Sequence, residues 1–580
     1  MFAGALYNRD ELDRRHGTST SDSERVLRAF RAAPANFAAG LRGIFAIVIH
    51  EEASGDIVAV RDRIGIIPLF CARSADAIVF SPSLRQLSAH RAVSTQLNTV
   101  LLAEHLADFW TRAEETEFSN IRRVLPATLL RIAGGKESVE RYWTLSDGPL
   151  ERDPEELAEK FKSTLIAAVQ RPMQMGKSGI FLSGGVDSIS VAAMAREISN
   201  GTGLPPMTAL SLFYRGSQAN EEDMQTFVAR ELGMPLVSSA LADAVQGRSA
   251  MLTMLEASQD WPVPLWNIYM PAFLQLAARG RDAGCEVILT GGGGDEWLGV
   301  GPFLAFDLLR SLRLRAYVRF IAHIRRSYTI PNRVLLRNLL WTFGVRQFVV
   351  GARNRLMPAL GHDIDASRAR RALPDWLAPD PTIRRRIIER LTQSKRAERL
   401  ARNAAPSLYE YESRRSVSHP IVVSEMETKF AMGEAVGVHF FEPYWDADLI
   451  DLLYRTPPDL LSRGGVAKGL VHQLLKEVFP AFTASRQKKV AFGNFFMNKV
   501  RAESEEAWQA TEGVPSLAGL GLVDGKKFAA MVEAKLGAKD STGIWVIPHV
   551  LTMEAWVRAR QKAGAVGAES AISRSPTRAA

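Results

Sequence analysis

The segment Ser183-Gly184-Gly185-Val186-Asp187-Ser188 gathers two hydroxyls, two adjacent glycines and one carboxylate in a single short turn. Adjacent glycines let backbone N–H groups approach phosphate oxygens with no Cβ in the way. Ser183, Gly185 and Ser188 are placed to cradle a pyrophosphate. Asp187 would repel a bare phosphate, so its presence predicts a Mg²⁺ between carboxylate and phosphate. The chemistry this implies is nucleotide binding through the phosphate end.

The flanking elements fit that task. The apolar run Gly179-Ile180-Phe181-Leu182 reads as a strand, and 189–198 reads as a helix. A strand, a Gly-rich turn and a helix, in that order, aim the positive end of the helix at the same anion. Gly176-Lys177-Ser178 is not a Walker loop, because Arg171 stands where that motif needs its first glycine and the triplet precedes the strand.

Two further segments carry chemistry. Cys285-Glu286-Val287-Ile288-Leu289 reads as a buried strand that runs into Thr290-Gly291-Gly292-Gly293-Gly294-Asp295-Glu296. Consecutive glycines are costly in chain entropy, which predicts a close backbone approach to a ligand at this turn. One carboxylate holds Mg²⁺ weakly; two carboxylates plus phosphates complete an octahedral shell with waters. Farther on come Phe441-Glu442-Pro443-Tyr444-Trp445-Asp446, then Gly465-Val466-Ala467-Lys468, then Arg486-Gln487-Lys488-Lys489.

The hexapeptide resembles the pyrophosphate loop of ATP pyrophosphatases, which cleave ATP between the α and β phosphates and leave a substrate as its adenylate. The Thr290 segment resembles Ser-Gly-Glu-Gly-Ala-Asp-Glu-Leu-Phe-Gly of the asparagine synthetases. The Phe441 segment resembles their Arg-Val-Pro-Phe-Leu-Asp, and Arg486-Gln487-Lys488 their Arg-x-Lys. The resemblance implies ATP and Mg²⁺ as cofactors, with Asp187 and Asp295 as the metal carboxylates. It implies Lys488 as the catalytic lysine, with Lys489 as the alternative. Leu182, Ser183, Gly184, Gly185, Asp187, Ser188, Leu212, Thr290, Gly291 and Lys468 would form the ATP and pyrophosphate site, Leu182 and Leu212 lying near adenine.

The front of the chain resembles the glutaminase domain of the same enzymes at Leu41-Arg42-Gly43-Ile44-Phe45-Ala46, at 61–69 and at 80–84. Phe2 stands where active members carry the nucleophilic Cys, and Tyr7-Asn8 with Glu11-Leu12 resembles a segment from well inside that domain. The beginning of the domain is therefore expected to be missing, and no glutamine hydrolysis is expected. Gly292 replaces a Glu of the family and Phe441 an Arg, which reads as loss of charge on the acceptor side. Relatives that need no ammonia close a β-lactam or, as lasso-peptide cyclases, join the N-terminal amine of a peptide to an Asp or Glu side chain.

The implied function is adenylation of an Asp or Glu carboxylate in a precursor peptide, followed by attack of its N-terminal amine to form a macrolactam. The alternatives are asparagine formation from free ammonia, β-lactam closure, or a non-catalytic scaffold that retains the fold. Partners are the core peptide and, with it, a leader-peptide-binding protein and a leader peptidase. Glu296 and His439 are the side chains weighed as general base.

The expected fold class is α/β. A truncated, stacked-sheet, glutaminase-like domain spans 1–150. A doubly wound parallel-sheet ATP pyrophosphatase domain with a helical C-terminal half spans 151–562. A disordered tail spans 563–580. Two cysteines, Cys71 and Cys285, offer neither a disulfide framework nor a Cys-based metal site. No secretory signal is legible, and the uncharged stretch 261–278 is broken by three prolines, so it reads as a buried segment beside the acceptor pocket and not as a membrane span. A cytoplasmic protein is expected. Eleven arginines and no Asp or Glu lie between 310 and 355, interleaved with apolar residues. Such a surface suits an acidic leader peptide, a partner protein or anionic lipid, unless it is a solvated face packed on the core. No nucleic-acid recognition motif accompanies the net charge of +9.

Overall fold

A computed structural model describes residues 1–74, 76–147, 153–327, 331–482, 492–537 and 543–573. The first half of the first domain is read from period-two alternation. In β2 (Gly43–His50), Phe45, Ile47 and Ile49 point to one side and Ala46 and Val48 to the other. The first set meets Leu12, Val26 and Phe30 of two helices, Arg9–His16 and Asp22–Ala32. The second set meets Leu69, Ile78 and Phe80 beneath a second sheet. The layers are thus helix, sheet, sheet. The larger sheet is antiparallel, in the order β1 (Phe2–Leu6), β2, β3 (Ile57–Arg61), β7 (Thr128–Ala133), β8 (Lys136–Arg141). The smaller runs β5 (Ile78–Ser81), β4 (Phe70–Arg73), β6 (Ile121–Arg123).

Beyond the junction, Asp153 caps the helix Pro154–Met173 by accepting the Glu155 and Glu156 N–H groups at 2.9 Å. Five parallel strands follow, in the order β11 (Leu236–Ala240), β10 (Thr208–Phe213), β9 (Ser178–Phe181), β12 (Val287–Leu289), β13 (His439–Phe441). Helices cover both faces. On one, Pro154–Met173, Val186–Thr202 and Gly469–Val478 bury Phe161, Leu165, Ile189 and Val471. On the other, Ala250–Asp260, Met270–Asp282 and Val546–Ser573 bury Met254, Leu276 and Trp556. This is the doubly wound arrangement expected, with a helical half after residue 303.

One difference stands out. The last helix continues to Ser573, past the start of the expected disordered tail; alanines at 563, 565, 568 and 571 favour helix there. The stretch 261–278 follows its reading: it breaks at its first prolines and then enters the helix Met270–Asp282. Among the described residues no helix is long and apolar enough to cross a membrane.

Candidate active site

The chain leaves β9 toward β10 and β11 on one side and returns to β12 and β13 on the other, so the strand order reverses between β9 and β12. Such a switch point opens a crevice at the carboxyl ends of the strands. Ile180 pairs with Leu289 across it, so the turns after these strands lie side by side. That adjacency brings the two acidic motifs together, although they are a hundred residues apart in the chain.

The first turn enters the helix Val186–Thr202, whose N-cap Gly185 supplies no side-chain cap. Its leading N–H groups are left to an anion. The Ser183 and Ser188 hydroxyls lie 2.9 Å apart, and Gly185 N–H donates to Ser183 Oγ at 3.2 Å. Gly184 behaves differently. Its N–H donates to Glu221 Oε2 at 2.9 Å, so a carboxylate of the protein holds one donor expected for phosphate.

At the second turn a Cβ would collide at each of the four glycines. It would fall 2.7 Å from the Ser188 nitrogen at Gly291 and 2.3 Å from Glu442 Oε1 at Gly292. It would fall 2.9 Å from Tyr444 at Gly293 and 2.3 Å from the Asp187 carboxyl carbon at Gly294. The close approach predicted by this run is an approach to other parts of the protein.

Lys468 lies between the acids, its Nζ donating to Asp187 Oδ2 at 2.5 Å and to Asp295 Oδ1 at 2.7 Å. Burial pulls the lysine down, but Asp187 and Asp295 outweigh it and keep the ammonium charged. Burial pushes the Asp187 carboxyl up, against the pull of Lys468. Lys468 itself is held in the left-handed region (φ 58°), a conformation that costs a non-glycine residue about 1 kcal/mol or more. Ser327 Oγ accepts the preceding N–H, of Ala467, at 2.7 Å and fixes the loop.

Asp187 Oδ1 is buried without a partner. An orphaned carboxylate oxygen, with a second carboxylate across the same Lys468 ammonium, fits a hard divalent cation, so Asp187 and Asp295 are the residues that would hold Mg²⁺. No cluster of three or more metal-ligating side chains occurs among the described residues.

Other expected residues are placed as follows. Ser183, Gly185, Asp187, Ser188, Thr290 and Gly291 line one cavity of about 670 Å³. Leu182 and Leu212 are core side chains, 2% and 4% exposed, and do not line it. Lys488 and Lys489 lie outside the described residues. Phe441 is buried on β13, and its carbonyl accepts the Thr290 N–H at 3.0 Å. Tyr444 anchors the same segment, its hydroxyl 2.6 Å from Ser190 Oγ.

Two acids meeting at the switch point of a parallel sheet agree with what comparison finds. Residues 160–558 match the asparagine synthase family, and residues 1–143 match the glutamine amidotransferase domain. The chain belongs to the asparagine synthase family. Relatives include "Asparagine synthetase [glutamine-hydrolyzing] 2" of Bacillus subtilis, 27% identical over 52% of this chain and 42% of the relative. "Amidase chry2" of Gibberella zeae is 26% identical over 48% of this chain and 43% of the relative. "Amidase chyE" of Penicillium rubens is 26% identical over 53% and 46%. The chain thus spans less than half the length of these curated relatives.

In this asparagine synthase family member the acceptor side is not stripped of charge, which corrects the reading of Gly292. The Glu442 carboxylate occupies the space above Gly292, accepts from Thr290 Oγ1 at 3.0 Å, and pairs with Lys429 at 3.1 Å. The acid has moved from the glycine loop to the neighbouring strand's end, at a position where the family segment carries Val. Glu425 and Lys429, one turn apart on the helix Pro420–Val436, face the same cavity. Glu425 is solvent-exposed at the cavity wall, and partial desolvation there, then Glu442 and Glu296, push its carboxyl up to about 7. His439, at the start of β13, lines a different hollow.

The far wall is aromatic: Trp261, Trp266, Phe181 and Phe273, with Trp110 contributed by the first domain. Trp110 packs on His105 (centroids 4.1 Å apart) and donates its indole N–H to Asp108 at 2.7 Å. The first domain also grips the helix that bears Glu425. Arg61 donates to Glu427 at 3.1 Å and Arg123 to its other oxygen at 2.7 Å; Ser83 donates to Glu434 at 2.9 Å. Glu425, Lys429, Glu442 and Trp110 were missed from sequence because no local motif marks them.

Proposed function

We propose that this protein is an ATP-dependent amide ligase that closes a macrolactam in a peptide. A side-chain carboxylate of Asp or Glu attacks the α-phosphorus of ATP, a phosphoanhydride bond breaks, and pyrophosphate leaves. The N-terminal amine of the same peptide attacks the acyl carbon, AMP departs, and one amine proton passes to Glu425. Mg²⁺, when bound by Asp187 and Asp295, supplies neutralisation of the phosphate charge. The uncapped helix N-terminus at Gly185, with Ser183 and Ser188, orients the leaving pyrophosphate. Holding both reacting groups of one peptide in the cavity replaces an external nitrogen donor with high effective concentration.

The observation that carries this reading is the cavity itself. It is roomy, walled by aromatic side chains, continuous with the phosphate turn, and holds a carboxyl whose pKa suits removal of a proton from an amine near neutral pH. We further propose that the first domain hydrolyses no glutamine. Its Arg61 is buried and committed to Glu427, and the chain's two thiols lie on β4 (Cys71) and buried ahead of β12 (Cys285).

The relocated carboxylate of Glu442 favours one second reading, amide formation with free ammonia on a small acid, since the acid expected for that chemistry is present after all. Incubation with ATP, Mg²⁺ and candidate precursor peptides, read by mass spectrometry, separates the two. Loss of one water from a peptide, with AMP and pyrophosphate formed only in its presence, supports the cyclase. Asparagine formed from aspartate and ammonium, with every peptide left unchanged, overturns it.

A further inference from the structure

The helical half carries a surface that neither the cavity nor the domain contact uses. Nineteen large hydrophobic residues are exposed among the described residues, and twelve of them fall between 312 and 360. Scattered single exposures are ordinary; a concentration of this kind marks a surface that something else covers. Its main part is one continuous helical rod, Asn332–Leu336, Arg337–Val345 and Arg346–Ala359, the middle piece wound as a π-helix. Leu336, Trp341, Val345, Val349, Leu356 and Leu360 recur along it at four, five or seven residues. The five-residue step falls in the π-helical piece, so the exposed side chains keep to one side of the rod. The opposite side is buried: Leu335 and Leu339 pack on Leu308, Tyr317 and Phe320.

Charge on this surface has one sign. The eleven arginines between 310 and 355 meet no carboxylate: among the described residues none of them forms an ion pair, and the segment contains no Asp, Glu or Lys. The nearest acid before it, Asp307, is occupied with Ser407 and the Leu408 and Tyr409 N–H groups. Five of these arginines, Arg333, Arg337, Arg346, Arg353 and Arg355, lie on the rod with the exposed Trp, Leu and Val stripe, and together they call for a partner that supplies phosphate-like oxygens and, just beside them, hydrocarbon.

We propose that this helical rod docks on the surface of an anionic phospholipid bilayer, lying in the interface with Trp341 and the Val/Leu stripe inserted among the acyl chains and the arginines on the headgroup phosphates. Guanidinium forks bind phosphate oxygens in bidentate fashion, and an interfacial helix of this composition is held by apolar area and charge together. The rod from 336 to 360 is about 36 Å long at about 1.5 Å per residue, long enough to lie along such a surface. A soluble acidic peptide would satisfy the arginines and leave the stripe in water. A second copy docked face to face would set the rod's arginines against the same arginines.

The test is co-sedimentation of the full chain with phosphatidylcholine vesicles, with and without about one third phosphatidylglycerol. Binding to the anionic vesicles is expected, at least tenfold weaker to the neutral ones and weaker in high salt. Val349→Ser with Leu356→Ser should lose at least tenfold in vesicle binding. Arg346→Gln with Arg353→Gln and Arg355→Gln should lose on the order of a hundredfold, at about fivefold per arginine near an anionic surface. All these side chains are solvent-exposed and remote from the cavity, so ATP–pyrophosphate exchange without vesicles should be unchanged in every variant. The proposal is overturned if anionic vesicles do not sediment the protein, or if the serine variants bind them as well as the parent. It is equally overturned if sedimentation velocity shows a dimer that Leu356→Ser dissolves, or if polyglutamate binds the same face more tightly than the vesicles do.

Discussion

The two walls of the cavity are built by opposite strategies. The phosphate wall comes from two short, contiguous turns whose adjacency is enforced by β9 pairing with β12. The acceptor wall is assembled from Trp110, Trp266, Glu425, Lys429, Glu442 and His549, side chains spread over more than four hundred residues and both domains. Backbone geometry dictates the first wall: close approaches leave room only for glycine, and helix N-termini need no side chain to hold an anion. Nothing but tertiary packing dictates the second. On the proposed function, chemistry common to a family would reside in the first kind of wall, and the choice of substrate in the second.

If that division holds, breaking the phosphate wall should be the most damaging change. Asp187→Ala removes the buried carboxylate between Lys468 and the expected cation, and should lower ATP–pyrophosphate exchange by about a thousandfold or more, with the fold intact by circular dichroism. Exchange within tenfold of the parent would mean that Asp187 does not serve the nucleotide. On the acceptor wall the largest effect belongs to Glu425. Glu425→Gln should cut product formation by about 10²–10³-fold, the usual worth of a general base, while leaving adenylation near the parent rate. That carboxyl is pushed up to about 7, and only its ionised form accepts a proton. Parent activity should therefore rise with pH through about 7, and the variant should lose that limb. Stability runs the other way. A carboxyl raised above its ordinary value favours the fold below that value, and the contribution is lost as pH climbs through about 7. The variant's melting temperature should exceed the parent's at pH 8 and match it at pH 4. A flat parent profile between pH 6 and 8 would remove Glu425 from the chemistry.

The same contrast explains what could be read from sequence. Strands at 179–182, 209–213 and 285–289 were legible from their apolar runs, within one or two residues of the observed bounds, and the helix read at 189–198 is there but runs three to four residues farther at each end. So were the stacked-sheet and doubly wound classes, and the placement of 261–278 beside the pocket. Glu442 was not legible, because a carboxylate moved from a loop to the end of another strand leaves only an unremarkable Glu-Pro pair. Gly184 read as a phosphate donor, and nothing local announces that Glu221 takes its N–H. Leu182 and Leu212 read as an adenine site, yet central parallel strands bury their side chains on both faces.

A smaller effect tests whether the first domain serves the acceptor wall or merely accompanies it. Glu427 lies two residues from Glu425 and receives both Arg61, fully buried, and Arg123, 6% exposed at its side chain. Glu427→Gln removes the carboxylate shared by two buried guanidinium groups, which keep the Glu117 carboxylate (Arg123) and backbone carbonyls (Arg61), a loss of up to about 3–5 kcal/mol as in comparable buried pairs. The melting temperature should fall by about 5 °C or more. If the clamp positions Glu425, product formation should also drop by about tenfold at a temperature where the variant is folded, and Glu427→Asp should recover part of it. Adenylation should be spared, because Glu427 is held by the first domain's Arg61 and Arg123 and does not line the cavity of the phosphate turns. Equal losses in both half-reactions would make the clamp a matter of stability alone.

The mildest break is Trp110→Ala. The indole lies against His105 and Trp266 and reaches the cavity from the first domain, while Asp108, held in the left-handed region (φ 57°), takes its N–H. It touches neither the phosphate turns nor Glu425, so it can bind the acyl substrate but not move protons or charge. A contact of that kind is felt equally in the ground and transition states, which raises KM and leaves kcat alone. The expected change is about a tenfold rise in KM for the peptide, the ordinary worth of a partly buried aromatic contact, with KM for ATP unchanged. A shift in ATP affinity would show that the walls are coupled. A shift in neither would mean that the peptide does not reach the end of the cavity that the first domain builds, and that the aromatic wall serves packing there.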